Sequence, residues 1–420
     1  MAQNDNCGVS LRPWPYPFNA GLAICSDIDY CSRDWFLKVH RILNQQWQLP
    51  VADSFFGMGA SPEQLAYFKA DGSTPSADAP FIERAIEDGL IDCLHSWGDY
   101  NGGAPEPRAL RSLAENLCRR LGEQGMGVPV WINHGNPHNR QNLFFRLEPA
   151  HEGDLPDSPY YTADLLSPMG ISFTWLGEKA TWPLSASGAG QQGLAQLRLM
   201  QNRMKNLVKA ALGRPGTRRK GASLVELVQP YQLRDGRWVW DFTRFFYHPQ
   251  GRGQAATRLT LRYCLAPGVL ERLGQSQGCA IVYTHLARPQ HQENMIFAPP
   301  DQEALAGLAR AYQKGRIWVC PTAVLLRYQR TRKTLEWQTH QKENGLVIEL
   351  GDLLDPVSGR RSPLLKDLAG LTFYTPDPRC TQLFLAGRPL AAEVYGPDQS
   401  GRSSLGLPPP PPPRLSLLET

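Results

Sequence analysis

Leu22-Ala23-Ile24-Cys25-Ser26-Asp27-Ile28-Asp29 is an apolar run that stops on two carboxylates one residue apart. A short apolar run bounded by polar residues predicts a buried strand. Acids at the C-terminal end of a buried parallel strand serve chemistry more often than stability. The competing reading is structural: Asp27 turns the chain and Asp29 caps a helix beginning near Arg33, since Asp is a favoured capping residue.

Outward from this strand the pattern repeats. Arg33–Gln46 has apolar residues at 35, 36, 39, 42 and 43, a helical spacing. Val51–Gly57 predicts a short strand, followed by a second helical pattern and a Gly/Ser/Pro-rich loop over 71–80. Ile82–Asp88 predicts a helix, and Leu90–Leu94 a strand that runs into His95-Ser96-Trp97-Gly98-Asp99. Pro107–Gly122 is amphipathic, with Leu110, Leu113, Leu117 and Leu121 on one side, and Val128–Ile132 is a strand ending on Asn133-His134-Gly135-Asn136-Pro137-His138. Strand and helix alternate, and polar residues gather where strands stop. That argues for a parallel sheet with crossover helices, either a barrel or a doubly wound sheet.

Before the first strand, Arg12-Pro13-Trp14-Pro15-Tyr16-Pro17-Phe18 cannot be regular helix or central strand and reads as an extended arm. Farther on, Ile171–Trp175 predicts a strand and Leu194–Leu212 a helix. The basic loop Arg214–Lys220 lacks interleaved aromatics and reads as a solvated connection rather than a phosphate site. Val225–Arg234 and Arg237–Phe246 flank Asp235-Gly236, a hairpin signal. Cys279–His285 is again a buried strand ending in a polar group, Gln302–Gln313 a helix, and Ile317–Cys320 the last strand of the main domain. Beyond Gln329, short β-like runs separated by Gly, Pro and Asp predict a small antiparallel unit. The expected division is a main domain over 1–328, a β-rich accessory unit over 329–400, and a disordered tail over 401–420. Six prolines at 408–413 favour polyproline II there, at most a weak ligand for a Pro-binding partner.

With 420 residues the chain is long enough for one large domain and a smaller one. Hydrophobic residues at 42% and charged residues at 20% exclude general disorder, and a net charge of +5 implies no nucleic-acid partner. Nine cysteines without a Cys-x-x-Cys pair suit free thiols in a reducing compartment. No secretory signal opens the chain and no run of about 18 apolar residues occurs, so the expected address is cytoplasmic, without a membrane span.

Taken in order, Ser26-Asp27-Ile28-Asp29, His95-Ser96-Trp97-Gly98-Asp99 and Tyr283-Thr284-His285-Leu286 resemble the signature segments of the polysaccharide deacetylases, the NodB-like carbohydrate esterases. That family carries an Asp-Asp pair after its first strand, a His-Ser/Thr-x-x-His segment later, and Leu-x-His near the end. Here Ile28 splits the acid pair, Asp99 stands where the family has its second His, and Thr284 directly precedes the last His. The Arg-x-Pro-Tyr segment has no clear counterpart, leaving Arg244 and Arg140 as candidates for its arginine. Over residues 20 to 325 the resemblance implies an α/β fold, a distorted (β/α) barrel, and a metal-dependent hydrolase that removes an acyl group, most often N-acetyl, from a sugar or glycan. It implies Asp27 as general base and His285 as general acid.

A catalytic zinc needs about three protein ligands and one open position. Asp29, His95 and Asp99 would supply one nitrogen and two oxygens, with His134 a rival third ligand. Two carboxylates make that set harder, which brings manganese into play beside zinc. Trp97, Trp131 and Trp175 are candidate faces for sugar rings, with core packing the competing reading for each; His138, His248 and His291 read as loop residues. Two alternatives stand beside the deacetylase: a glycoside hydrolase using paired carboxylates on the same fold, and a non-catalytic carbohydrate-binding protein. The first requires carboxyl groups about 5 to 9 Å apart across a cleft.

Overall fold

The computed structural model describes residues 8–144, 150–185, 226–251, 254–287, 295–343 and 345–419. The helix expected over 194–212, the basic loop 214–220 and His291 lie outside the described residues.

The strands that carry the architecture are β1 (Ser10–Leu11), β2 (Ala20–Ser26), β3 (Asp53–Met58), β4 (Ala66–Phe68), β5 (Ile91–Leu94), β6 (Val130–Ile132) and β7 (Phe173–Trp175). They continue as β8 (Lys179–Ala180), β9 (Leu184–Ser185), β10 (Val228–Gln232), β11 (Trp238–Phe242), β12 (Arg244–Phe245), β13 (Gly278–Thr284) and β14 (Ile317–Val319). One seven-stranded sheet runs β10-β11-β7-β6-β5-β3-β4 and a six-stranded sheet runs β14-β2-β13-β12-β8, with β9 paired to β13. Every pair in them is parallel except β10 with β11 and β9 with β13. The protein is therefore a mixed α/β structure, and the connections between these strands carry helices α1 (Arg33–His40), α2 (Ala79–Asp88), α3 (Pro107–Glu123), α4 (Pro267–Gln275) and α5 (Pro299–Gln313), with α6 (Thr322–Thr334) following β14.

Local chemistry explains where these helices begin and end. Ser32 caps α1 by accepting from Trp35 N, and Glu106 caps α3 by accepting from Ala109 N just before Pro107. Gly89 closes α2 in the left-handed conformation that only glycine adopts without strain.

Two-residue alternation decides which side chains meet. Ala23 and Cys25 of β2, Cys93 of β5, Val130 and Ile132 of β6, Phe173 and Trp175 of β7, Trp240 and Phe242 of β11, and Cys279 and Ile281 of β13 all belong to one buried cluster. The opposite-parity residues of β2 and β13, Leu22, Ile24, Ala280 and Val282, pack instead with α5 and the other helices on that side. Both sheets thus turn one face to a shared core and the other to helices. The sheets touch where the Ser54 hydroxyl donates to the Ser26 carbonyl at 2.8 Å, and Thr243 alone connects β11 of one sheet to β12 of the other.

Three expectations change. The helical pattern expected after Gly57 is instead strand β4, which pairs with β3 through Phe56 and Met58 and buries Ala66, Tyr67 and Phe68; sheet pairing overrides local periodicity. The C-terminal unit is mixed rather than antiparallel, because Leu346–Leu350 runs parallel to Thr381–Leu385. Residues 401–419 do not hang free: Ser404–Gly406 pairs with Thr372–Tyr374, Arg414 N donates to Asp88 O at 2.7 Å, and Leu418 is buried against the core that holds α2. The N-terminal arm is held in the same way, with β1 paired to Phe373 and Tyr374 and Trp14 fully buried. The hairpin forms with Gln232 opposite Trp238 and Gly236 at φ +89° in its loop. Among the described residues no helix is long and apolar enough to cross a membrane, and the eight cysteines there are free thiols.

Candidate metal centre and catalytic cleft

Each residue of the candidate site lies two positions beyond an inward-facing core residue or its strand-end continuation. Cys25 leads to Asp27, Cys93 to His95, Ile132 to His134 and Phe242 to Arg244, while Ile281 leads through Tyr283 to His285. Parallel pairing puts these strand ends at one rim, so the inner parity of five strands delivers five polar side chains to one place.

Asp29 is the hub. His134 Nε2 donates to its Oδ1 at 2.7 Å, while His95 Nε2 and His285 Nε2 each lie 3.3 Å from its Oδ2. The ligand atoms of Asp29, His95 and His134 fall within 4.8 Å of one another, as do those of Asp27, Asp29 and His285. Asp27 faces a different partner: Arg244 donates to it through Nη1 at 2.5 Å and Nη2 at 3.3 Å, a two-pronged pair with both residues buried. The guanidinium is stacked between the Trp175 ring at 3.4 Å and the Tyr283 ring at 4.0 Å.

Charge follows this geometry. Burial pushes the Asp27 carboxyl up, but Arg244, with His95 and His285, outweighs it and holds the group below its ordinary value. Burial also works against ionised Asp29, yet the hydrogen bond from His134 and the close approach of the His285 and His95 rings hold it well below the usual range. Burial pulls His285 down, and Asp29, Asp27 and the Ala256 carbonyl reverse that to leave it raised; His134 is raised against burial by Asp29. His285 Nδ1 meets Ala256 O at 2.6 Å, which makes Nδ1 the donor and turns Nε2 toward the acids.

Two buried atoms of the trio, Asp29 Oδ2 and His95 Nε2, have no hydrogen-bond partner among the described residues. His95 Nδ1 lies 3.3 Å from Ile132 O, so its proton belongs on that side and the Nε2 lone pair faces Asp29. Two unpaired buried donor atoms on an Asp-His-His set fit a divalent cation, which would take the place of the proton between His134 and Asp29. Asp27 with Arg244 already on it does not fit as a ligand, so the second grouping is poorly disposed toward a cation.

The structure brings together Asp27, Asp29, His95, His134 and His285. Asp99 stays outside: it stands behind His134, with Oδ1 at 3.6 Å from His134 Nδ1 and Oδ2 accepting from Gln64 Nε2 at 3.1 Å. His134 therefore completes the trio with Asp29 and His95, and Asp99 does not. Of the two candidate arginines, Arg244 reaches Asp27 whereas Arg140 pairs with Glu152. None of the three tryptophans presents a face to sugar. Trp97 and Trp131 are fully buried with ring centroids 5.2 Å apart, and Trp175 covers Arg244.

The cleft above the cluster, about 480 Å³, is lined by Asp27, Asp29, His134, Tyr283 and His285 at its floor and by Tyr30, Asn101, Asn136 and His138 toward the rim. His138 is a loop residue that borders this cleft, while His248 packs on Tyr263. Tyr30 was not legible as a site residue; it is exposed, and its backbone is left-handed at φ +62°, as is that of Ser96 at +67° directly after His95. Such strain at two site-bearing turns costs about 1–3 kcal/mol each and persists where the surroundings impose it. Gly57 is one such constraint, since a Cβ there would lie 2.4 Å from the Trp97 carbonyl oxygen in the turn that carries His95. No family model, curated protein or solved structure matches this chain.

Proposed function

We propose that this protein is a metal-dependent hydrolase that removes an acyl group, in the first instance N-acetyl, from a sugar or glycan, on a distorted barrel like that of the NodB-like deacetylases. The observation that carries the reading is the division of labour between two adjacent acids. Asp27 is bound by a buried arginine and Asp29 is faced by three imidazoles, although their oxygens lie within 4.8 Å of one another and of His285 Nε2. The barrel is supported by the shared core of the two sheets, by the contact between Ser54 and Ser26, and by the single-residue step from β11 to β12.

Asp29, His95 and His134 would hold the cation, and two nitrogens with one oxygen favour zinc over manganese. When bound, the cation supplies Lewis acidity to a water and to the acyl carbonyl. Asp27, kept ionised by Arg244, accepts the proton of the attacking water. His285, raised toward its protonated form and oriented by Ala256 O, delivers the Nε2 proton to the departing amine. Tyr30 offers an exposed ring at the rim, and Asn101, whose Oδ1 accepts from Asn136 Nδ2, has its NH₂ group left for a sugar hydroxyl.

Convergence of Asp27 and Asp29 on one point weighs against glycoside cleavage, which needs the carboxyls to flank a bond. The experiment is metal analysis of purified protein beside Asp29→Ala and His95→Ala, followed by assay on N-acetylated oligosaccharides. Near-stoichiometric zinc in the wild type, lost in both variants and accompanied by acetate release, is the expected result. A wild-type protein that stays metal-free after zinc incubation refutes the mechanism.

A further inference from the structure

The proposed chemistry leaves one buried acid at the centre unused. Among the described residues Asp99 Oδ1 has no hydrogen-bond partner, and it lies 3.6 Å from His134 Nδ1, beyond hydrogen-bond length. That nitrogen accepts from Asn139 Nδ2 at 2.8 Å. The amide is held in this orientation: Asn139 Oδ1 accepts from Gln141 Nε2 at 3.0 Å, and the same Nε2 donates to Ser96 Oγ at 2.9 Å. Flipping Asn139 would set two NH₂ groups against each other. The His134 proton therefore sits on Nε2, where it meets Asp29, and a ring in that tautomer has no lone pair to offer a cation at Nε2.

We propose that Asp99 is the positioning residue that accepts a hydrogen bond from His134 Nδ1 when a divalent cation enters the Asp29, His95 and His134 trio, fixing the tautomer whose Nε2 lone pair faces the metal. The inference rests on the metal-centre reading above. The ring stays neutral throughout: Nε2 loses its proton to solvent, Nδ1 gains one from solvent, and Asp99 remains a carboxylate. Nδ1 turns from Asn139 to Asp99, closing the gap to about 2.8 Å, the usual length for a charge-assisted bond. Gln64, on the other carboxylate oxygen, keeps Asp99 aimed.

The test is zinc affinity by competition with a chromophoric chelator for wild type, Asp99→Ala, Asp99→Asn and Gln64→Ala, with histidine ¹⁵N spectra of each protein before and after zinc. Expected are a His134 proton on Nε2 without zinc and on Nδ1 with it, and affinity about 10–100-fold weaker in Asp99→Ala. Asp99→Asn, which keeps the shape and a neutral acceptor, should fall between and decides the matter if Asp99→Ala does not fold. Zinc affinity within about twofold of wild type in Asp99→Asn and in any folded Asp99→Ala, or a zinc-loaded wild type still protonated at Nε2, overturns the inference while leaving the metal centre standing. A wild type that takes up no zinc overturns both.

Discussion

Replacing Arg244 by methionine leaves a buried carboxylate without its counter-charge while keeping an unbranched side chain between Trp175 and Tyr283. Arg244 and Asp27 are 0% and 4% exposed, so solvent screens the pair little. Breaking such a pair by removing one partner costs about 3–5 kcal/mol. With that counter-charge gone, burial raises the Asp27 pKa, and His95 and His285 moderate the rise. In the wild type the depressed pKa contributes stability above the unfolded-state value, lost as pH falls through the folded-state value. In Arg244→Met the sign reverses: burial raises the folded pKa, so the contribution is present below the unfolded value and lost as pH rises through the folded one. Urea unfolding of both proteins at about pH 5 and about pH 7.5 should therefore show a deficit near 3–5 kcal/mol at the higher pH that shrinks at the lower. The acid limb of kcat/KM should move up with the base, and Arg244→Lys, which keeps charge without the fork, should fall between. A deficit below about 1 kcal/mol that is the same at both pH values refutes the assignment of Arg244 as the group that ionises Asp27.

His285→Gln should lower turnover of an N-acetyl sugar about 10²–10⁴-fold while zinc uptake persists, with less loss on an aryl acetate whose leaving group needs no proton. Because the His285 pKa is raised, its acid role holds below that value and fails as pH rises through it; the alkaline limb of the rate profile should vanish in the same variant. Asp27→Asn should retain zinc by elemental analysis, whereas His134→Ala should lose it. Leu418→Ala removes a buried side chain from the core beside α2 and should cost about 2–5 kcal/mol in urea unfolding, which a free tail would not show.

The strand ends were legible because burial and chemistry write opposite residue types next to each other. Leu22–Cys25 is apolar since both faces of β2 are covered, and Asp27 and Asp29 stand out where that cover stops. The same contrast exposed His95, His134 and His285. Asp99, four residues from His95 in sequence, reads as a companion of that His, but it lies outside the trio. The turn through Ser96 at φ +67° carries it behind His134 instead. β4 was misread because a three-residue strand has too short a period to show against the helical spacing around it.

Sequence alone thus determined the alternation of strand and helix, the buried strands and the polar groups at their ends, since these follow from local periodicity and the cost of burying charge. Only the tertiary structure decided which arginine meets Asp27, that His134 rather than Asp99 completes the trio, and that Trp175 covers Arg244. It also decided that the C-terminal stretch packs on α2. Arg244 lies 217 positions from Asp27, and Asp29 lies 105 from His134. Proximity across such separations is set by strand order and by which parity faces the common core, and neither is written in any local stretch of the chain.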